Sequence, residues 1–186
     1  MPEQASFEQL QQTLKKTAAA LRAADVPFAL AGGLAAWARG GPESDHDLDF
    51  VVKPEDADRA LEVLAETGLR PEKPPEGWLY KAWDGDVLVD LIFDPAGNPV
   101  TDRVLARADE LEVAAVPMHV MSLEDVLVTK LHALREHELD YDGLLAIARA
   151  LREQVNWDDV RIRTFGSPYA KAFFVLLEEL GIVRGA

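Results

Sequence analysis

Residues 87–93 read Val-Leu-Val-Asp-Leu-Ile-Phe, with an aspartate at the centre of a run apolar enough to lie inside a β-sheet. Aspartate is disfavoured in strands. A lone carboxylate buried there is costly unless it is paired, hydrogen-bonded or bound to a metal. A chain carrying Asp90 in this setting is therefore expected to bring a partner to it. A candidate lies upstream in Asp47-Leu48-Asp49-Phe50-Val51-Val52, a second strand by composition. Strand side chains alternate, so Asp47 and Asp49 share one face while Leu48 and Phe50 point into the core. Two carboxylates side by side repel, and the usual compensation is a cation. If the two strands are neighbours, three carboxylates converge, the arrangement that holds two divalent ions about 3.5–4 Å apart.

Upstream again, Gly32-Gly33 follows the apolar run Phe28–Ala31 and precedes a helical stretch from Leu34 to Arg39. A glycine pair at a strand-to-helix turn lets backbone N–H groups approach a phosphate closely, though by itself it marks only a turn. The rest of the chain divides in two. Apolar spacing predicts a helix over 6–24 and another over 54–67, with RPEKPPEG (70–77) as a proline-rich surface loop. WLYKAW (78–83) and VLVDLIFD (87–94) form two strands around an Asp84-Gly85 turn, and two weaker strands follow near 111–116 and 117–121. From Ser122, which with Asp125 resembles a capping box, the pattern is helical: 123–136, 141–151, a short helix capped by Asn156, and a last helix opened by Ser167-Pro168. The expected fold is α+β. A short mixed sheet flanked by helices, with the N-terminal helix, occupies residues 1–121, and a helical region over 122–186 packs on it.

The net charge of −14 disfavours a nucleic-acid partner, which needs a basic face. An acidic chain also repels a triphosphate unless cations screen the repulsion. The chain has no cysteine, no signal-peptide pattern and no apolar run long enough to span a bilayer, all compatible with the cytosol. No Walker A, G-x-G-x-x-G or G-x-S-x-G motif is present, so P-loop, Rossmann and serine-hydrolase readings have no support.

The order Ala31-Gly32-Gly33, thirteen residues, Asp47-Leu48-Asp49-Phe50, with Asp90 on a later strand, resembles the signature of the DNA polymerase β-like nucleotidyltransferase superfamily. The run from Met121 to Ile147 is similar to the helical part of the minimal and toxin-type nucleotidyltransferases. The resemblance covers roughly residues 25–150. It implies the nucleotidyltransferase fold and transfer of a nucleoside monophosphate from a nucleoside triphosphate, such as ATP, to a hydroxyl. It implies magnesium, with manganese as its substitute, on Asp47, Asp49 and Asp90, and Asp90 as general base. Gly32, Gly33, Ser44 and Lys130 would position the triphosphate, and Asp140 or Asp142 would be the acid that begins the helix after the lysine helix. The acceptor would be a small molecule or a protein, with nucleic acid least favoured on charge. Many relatives carry arginine four residues before the first aspartate and serine or threonine two before it. Here those positions are Glu43 and Asp45, leaving Arg39, Ser44 and His46 as replacements. The alternatives are a catalytically inactive nucleotide- or partner-binding module of the same fold, and a toxin–antitoxin component.

The remaining polar and aromatic residues read more simply. Asp84 and Asp86 are turn residues, His46 belongs to a loop, and His132 and His137 lie on a helix surface without a zinc-protease arrangement. Trp37, Trp78, Trp83 and Trp157 are expected to pack in the core or hairpin, with Trp78 or Tyr80 near enough to the sheet to stack on a base.

Overall fold

The computed structural model describes residues 6–43 and 47–183. Its first helix, α1 (Phe7–Ala23), opens with a reciprocal capping box. Ser6 Oγ accepts from the Gln9 amide while the Ser6 amide donates to Gln9 Oε1. Then come β1 (Phe28–Leu30), α2 (Gly32–Ala38), β2 (Leu48–Val52), α3 (Ala57–Glu66), β3 (Arg70–Glu72), β4 (Leu79–Asp84) and β5 (Val87–Ile92). A short helix α4 (Asp102–Leu105) leads into β6 (Asp109–Val113) and β7 (Val116–Val120). Four helices end the chain: α5 (Leu123–Ala133), α6 (Asp142–Leu151), α7 (Trp157–Thr164) and α8 (Pro168–Glu179).

Among the described residues seven strands form one mixed sheet in the order β3-β4-β5-β2-β1-β7-β6. β2 runs parallel to β5 and β1 parallel to β7, and the other pairs are antiparallel. The apolar side chains Leu48, Phe50 and Leu91 are fully buried. The helices α1 and α3 lie over this side, where Asp84 accepts from Thr13 Oγ1 and Lys16 Nζ, both at 2.9 Å. Asp84 is thus the anchor of α1 on β4 rather than only a turn residue. On the other side α5 packs beside α2, and a second apolar cluster joins α5 to α6, α7 and α8 through Leu127, Leu131, Ile147, Phe173 and Leu177. Among the described residues no helix is long and apolar enough to cross a membrane.

Three expectations are corrected. The segment expected as a proline-rich loop begins as β3, whose residues pair with Lys81 to Trp83 of β4. An edge strand tolerates Pro71, and Trp83 fixes the pairing by donating from Nε1 to Glu72 at 2.9 Å, with the Arg70 guanidinium 5.5 Å over its ring. The helix α5 stops at Ala133, three residues early. Leu134 is extended, and Arg135 and Glu138 exchange backbone hydrogen bonds, so His137 sits in a tight turn while His132 stays on the helix. Ser122 does cap α5 by accepting from the Asp125 amide, but the Asp125 side chain does not reciprocate. It is buried and paired to Arg107 and Arg163.

Candidate active site

Parallel pairing of β2 and β5 sets Asp49 directly opposite Asp90. Paired residues on neighbouring strands present their side chains to the same face. Asp47 stands two residues before Asp49, immediately ahead of β2, and its charge acts on both of the others. The three carboxylates therefore belong to one side of the sheet. Burial, followed by the Asp90 charge, pushes the Asp49 carboxyl up to about 7, against the opposing influence of Lys130. Burial also raises Asp90, against the pull of Lys81. Lys81 faces Asp90 across the β4–β5 hairpin, with Nζ 3.3 Å from Oδ1.

The turn from β1 into α2 is built around Asp49. The Ala31 amide donates to the Asp49 carbonyl at 2.8 Å. Gly32 has φ of +61°, and a Cβ on it would lie 1.7 Å from Asp49 Oδ2. Both the backbone conformation and the clearance exclude a side chain there. Gly33 follows in the first turn of α2.

A cleft of about 670 Å³ opens in front of this turn, lined by Gly32, Asp49, Trp78, Asp94, Lys130 and Arg135 among others. Of the three aspartates, Asp49 is the one that lines it. Lys130 reaches it from α5. Ser44 and His46 lie outside the described residues. Arg39 does not face the cleft. Its guanidinium donates to the carbonyls of Val120 and Met121 and pairs with Asp109 at 2.9 Å, tying α2 to β7 and β6. Asp140 and Asp142 are exposed outside the cleft, where Asp140 Oδ1 accepts from the Asp142 amide. Arg135 and Glu138 line the cleft in their place. Trp78 forms part of the wall, whereas Tyr80 packs against Phe93 with Lys73 over its ring.

Five charged cleft or near-cleft residues escaped the sequence reading, Arg135 and Glu138 among them. Lys81 could have been found from the hairpin, because a two-residue turn at Gly85-Asp86 sets it opposite Asp90. Asp94 has a buried carboxylate oxygen with no hydrogen-bond partner among the described residues, and Glu76 lies beside Trp78. Both occur in Pro/Gly-rich connections with no periodicity to mark them.

The donor set is carboxylate oxygen alone, which suits magnesium. Asp49 also carries a charge that burial disfavours and that no side-chain hydrogen bond among the described residues relieves, as expected of a cation ligand. Among the described residues, no three His, Asp or Glu side chains are drawn around a single point. The aspartates share a face while Asp90 is held by Lys81.

A protein-family profile described as "uncharacterised nucleotidyltransferase" matches residues 4–174. The chain belongs to this family. No curated protein matches the chain. Among solved structures, the crystal structure of ANT(2″)-Ia in complex with adenylyl-2″-tobramycin superposes with a TM-score of 0.65 at 16% identity, covering 88% of this chain and 98% of that one. The solution structure of the antibiotic-resistance factor ANT(2″)-Ia gives 0.66 at 16% identity, covering 95% and 98%. A protein of Thermotoga maritima described as a nucleotidyltransferase gives 0.58 at 18% identity, covering 83% and 98%. At these identities the likeness establishes the fold: this is a nucleotidyltransferase-fold chain, α+β, with a mixed sheet and a helical C-terminal region.

Proposed function

We propose that this nucleotidyltransferase moves a nucleoside monophosphate from a nucleoside triphosphate to a hydroxyl on a small molecule or a protein, with magnesium. The observation that carries the reading is the Asp49–Asp90 register beside a glycine that only a bare backbone can occupy. Asp47, Asp49 and Asp90 would hold the ions, which when bound would neutralise the triphosphate and the developing charge of in-line displacement. Gly32 and Gly33 let the triphosphate approach the backbone at the start of α2, and Lys130, which lines the same cleft, supplies a positive charge. Ser44 is a further candidate for the triphosphate. Asp90 accepts the proton of the attacking hydroxyl, and its raised affinity for protons suits that role. Lys81, 3.3 Å away, orients it.

Besides Asp49 the cleft carries Glu76, Asp94 and Glu138, which outnumber its two cations, Lys130 and Arg135. That lining favours a neutral or amine-bearing acceptor over an anionic one. ANT(2″)-Ia, whose complex holds an adenylylated tobramycin, is compatible with a small-molecule acceptor here.

Calorimetry with each nucleoside triphosphate, with and without magnesium, tests the reading when combined with a pyrophosphate-release assay on a cell extract. Metal-dependent binding with pyrophosphate release supports it. Glu43 and Asp45 at the positions of the usual arginine and hydroxyl residue, with Arg39 engaged on β7, favour the second reading, a non-catalytic nucleotide-binding module. Binding without turnover would establish that reading instead.

A further inference from the structure

On the other side of α5 from Lys130 lies a separate pocket of about 320 Å³ between the β5–α4 connection, α5 and α7. Its charged lining is Arg103, Arg107, Arg163 and Asp125, with His132 at its side. Asp125 is the buried member, 2% exposed. Arg107 donates to both of its oxygens, at 2.9 and 2.7 Å, and Arg163 donates to the same Oδ1. Two guanidinium groups thus meet at one carboxylate oxygen, and a single bidentate arginine would already have balanced the charge of that carboxylate. Asp159, 3.0 Å from Arg163 and partly exposed, offsets one more charge. Arg103 is exposed and makes no side-chain hydrogen bond or ion pair among the described residues. The pocket therefore keeps a positive excess on a chain whose net charge is −14. Two of its guanidinium groups are held in place by a buried anchor and retain N–H groups not used on Asp125 or Asp159. A preorganised arginine fork of this kind matches tetrahedral oxyanions.

We propose that this pocket is a second anion site, holding a phosphate-class dianion, free or as the phosphoryl group of a larger ligand, apart from the nucleotidyl cleft. Pro95, Met121 and Thr129 line both cavities, so the two sites share one wall. Occupancy here reports on a ligand other than the triphosphate and does not depend on the activity proposed above.

The test is titration of the metal-free protein with inorganic phosphate and with a simple phosphate monoester, read by calorimetry and by the side-chain Nε resonances of Arg107 and Arg163. Both ligands should bind saturably and shift those two resonances but not that of Arg39. Equal affinities identify the free anion as the ligand, and tighter binding of the monoester identifies a phosphoryl-bearing molecule. Arg103→Glu, which breaks no side-chain hydrogen bond or ion pair among the described residues, should weaken binding by about tenfold or more. Lys130→Gln should leave it unchanged. Arg107→Ala is unsuitable alone because it strips a partner from buried Asp125. If Arg103→Glu binds phosphate as tightly as the parent, or if Lys130→Gln abolishes binding, the anion lies elsewhere and the proposal is overturned.

Discussion

Replacing Asp49 by asparagine should make the metal-free protein more stable, and the gain should grow with pH. The Asp49 carboxyl is raised from 3.8 to about 7 in the folded chain by burial and by Asp90. Between those values the folded state binds more protons than the unfolded state, so stability falls as pH rises through the window. At about 1.4 kcal/mol per unit, full ionisation above pH 7 carries a penalty of at most roughly 4 kcal/mol. Relaxation and water entry around a carboxylate that lines an open cleft reduce this to about 2 kcal/mol. Asparagine fills the same space next to Gly32 without the charge. For a chain of this size that gain corresponds to a rise in Tm of about 4–8 °C at pH 8, shrinking towards zero near pH 4. Thermal unfolding of both proteins in chelator at several pH values measures it. Addition of magnesium and a nucleoside triphosphate should reverse the order, stabilising the parent and leaving the variant unmoved. A variant less stable than the parent at pH 8 in chelator, or a gain independent of pH, would refute the electrostatic account of Asp49.

Gly32→Ala should destabilise the protein by about 2 kcal/mol or more, because it meets both a left-handed backbone and the Asp49 carboxylate, and chemical denaturation will show it. Magnesium affinity should rise with pH and level off above about 7, since the ion must displace the Asp49 proton. Calorimetry across pH 5–9 checks this, and an affinity flat with pH contradicts it. Lys130→Gln removes a charge that lowers the proton affinity of Asp49, so the acid limb of that magnesium profile should move to higher pH. Asp125→Asn should lower stability by about 3 kcal/mol at neutral pH, because it leaves Arg107 and Arg163 crowded without their buried counter-charge. Asp125 has a lowered pKa, so the contribution it makes is present above its unfolded value and lost as pH falls below it.

What the sequence made legible follows from periodicity. Two-residue alternation put Asp47 with Asp49 and left Leu48 and Phe50 for the core, and the apolar flanks of Asp90 demanded a neighbouring strand. The β2–β5 pairing supplies that neighbour. Features that depend on contacts between distant segments were not legible. Asp125 looks like half of a capping box until Arg107 and Arg163, from other elements, are seen to claim it. The β6–β7 hairpin turns through Ala114 and Ala115 at φ of 50° and 63°, a conformation that normally advertises itself as Asn-Gly, so its strands gave only a weak signal. The strand β3 hides in a proline-rich stretch because an edge position removes the usual objection to Pro71. Arg39 sits near the turn in sequence, yet its length carries it to the carbonyls of β7.

The central claim is that Asp47, Asp49 and Asp90 gather divalent ions in one cleft. Its most direct test is anomalous diffraction from crystals grown with manganese and a non-hydrolysable nucleoside triphosphate. The account predicts manganese between the Asp49 and Asp90 carboxylates, with the phosphates running towards Gly32. Manganese bound elsewhere, with these aspartates free of it while the nucleotide is present, would contradict it.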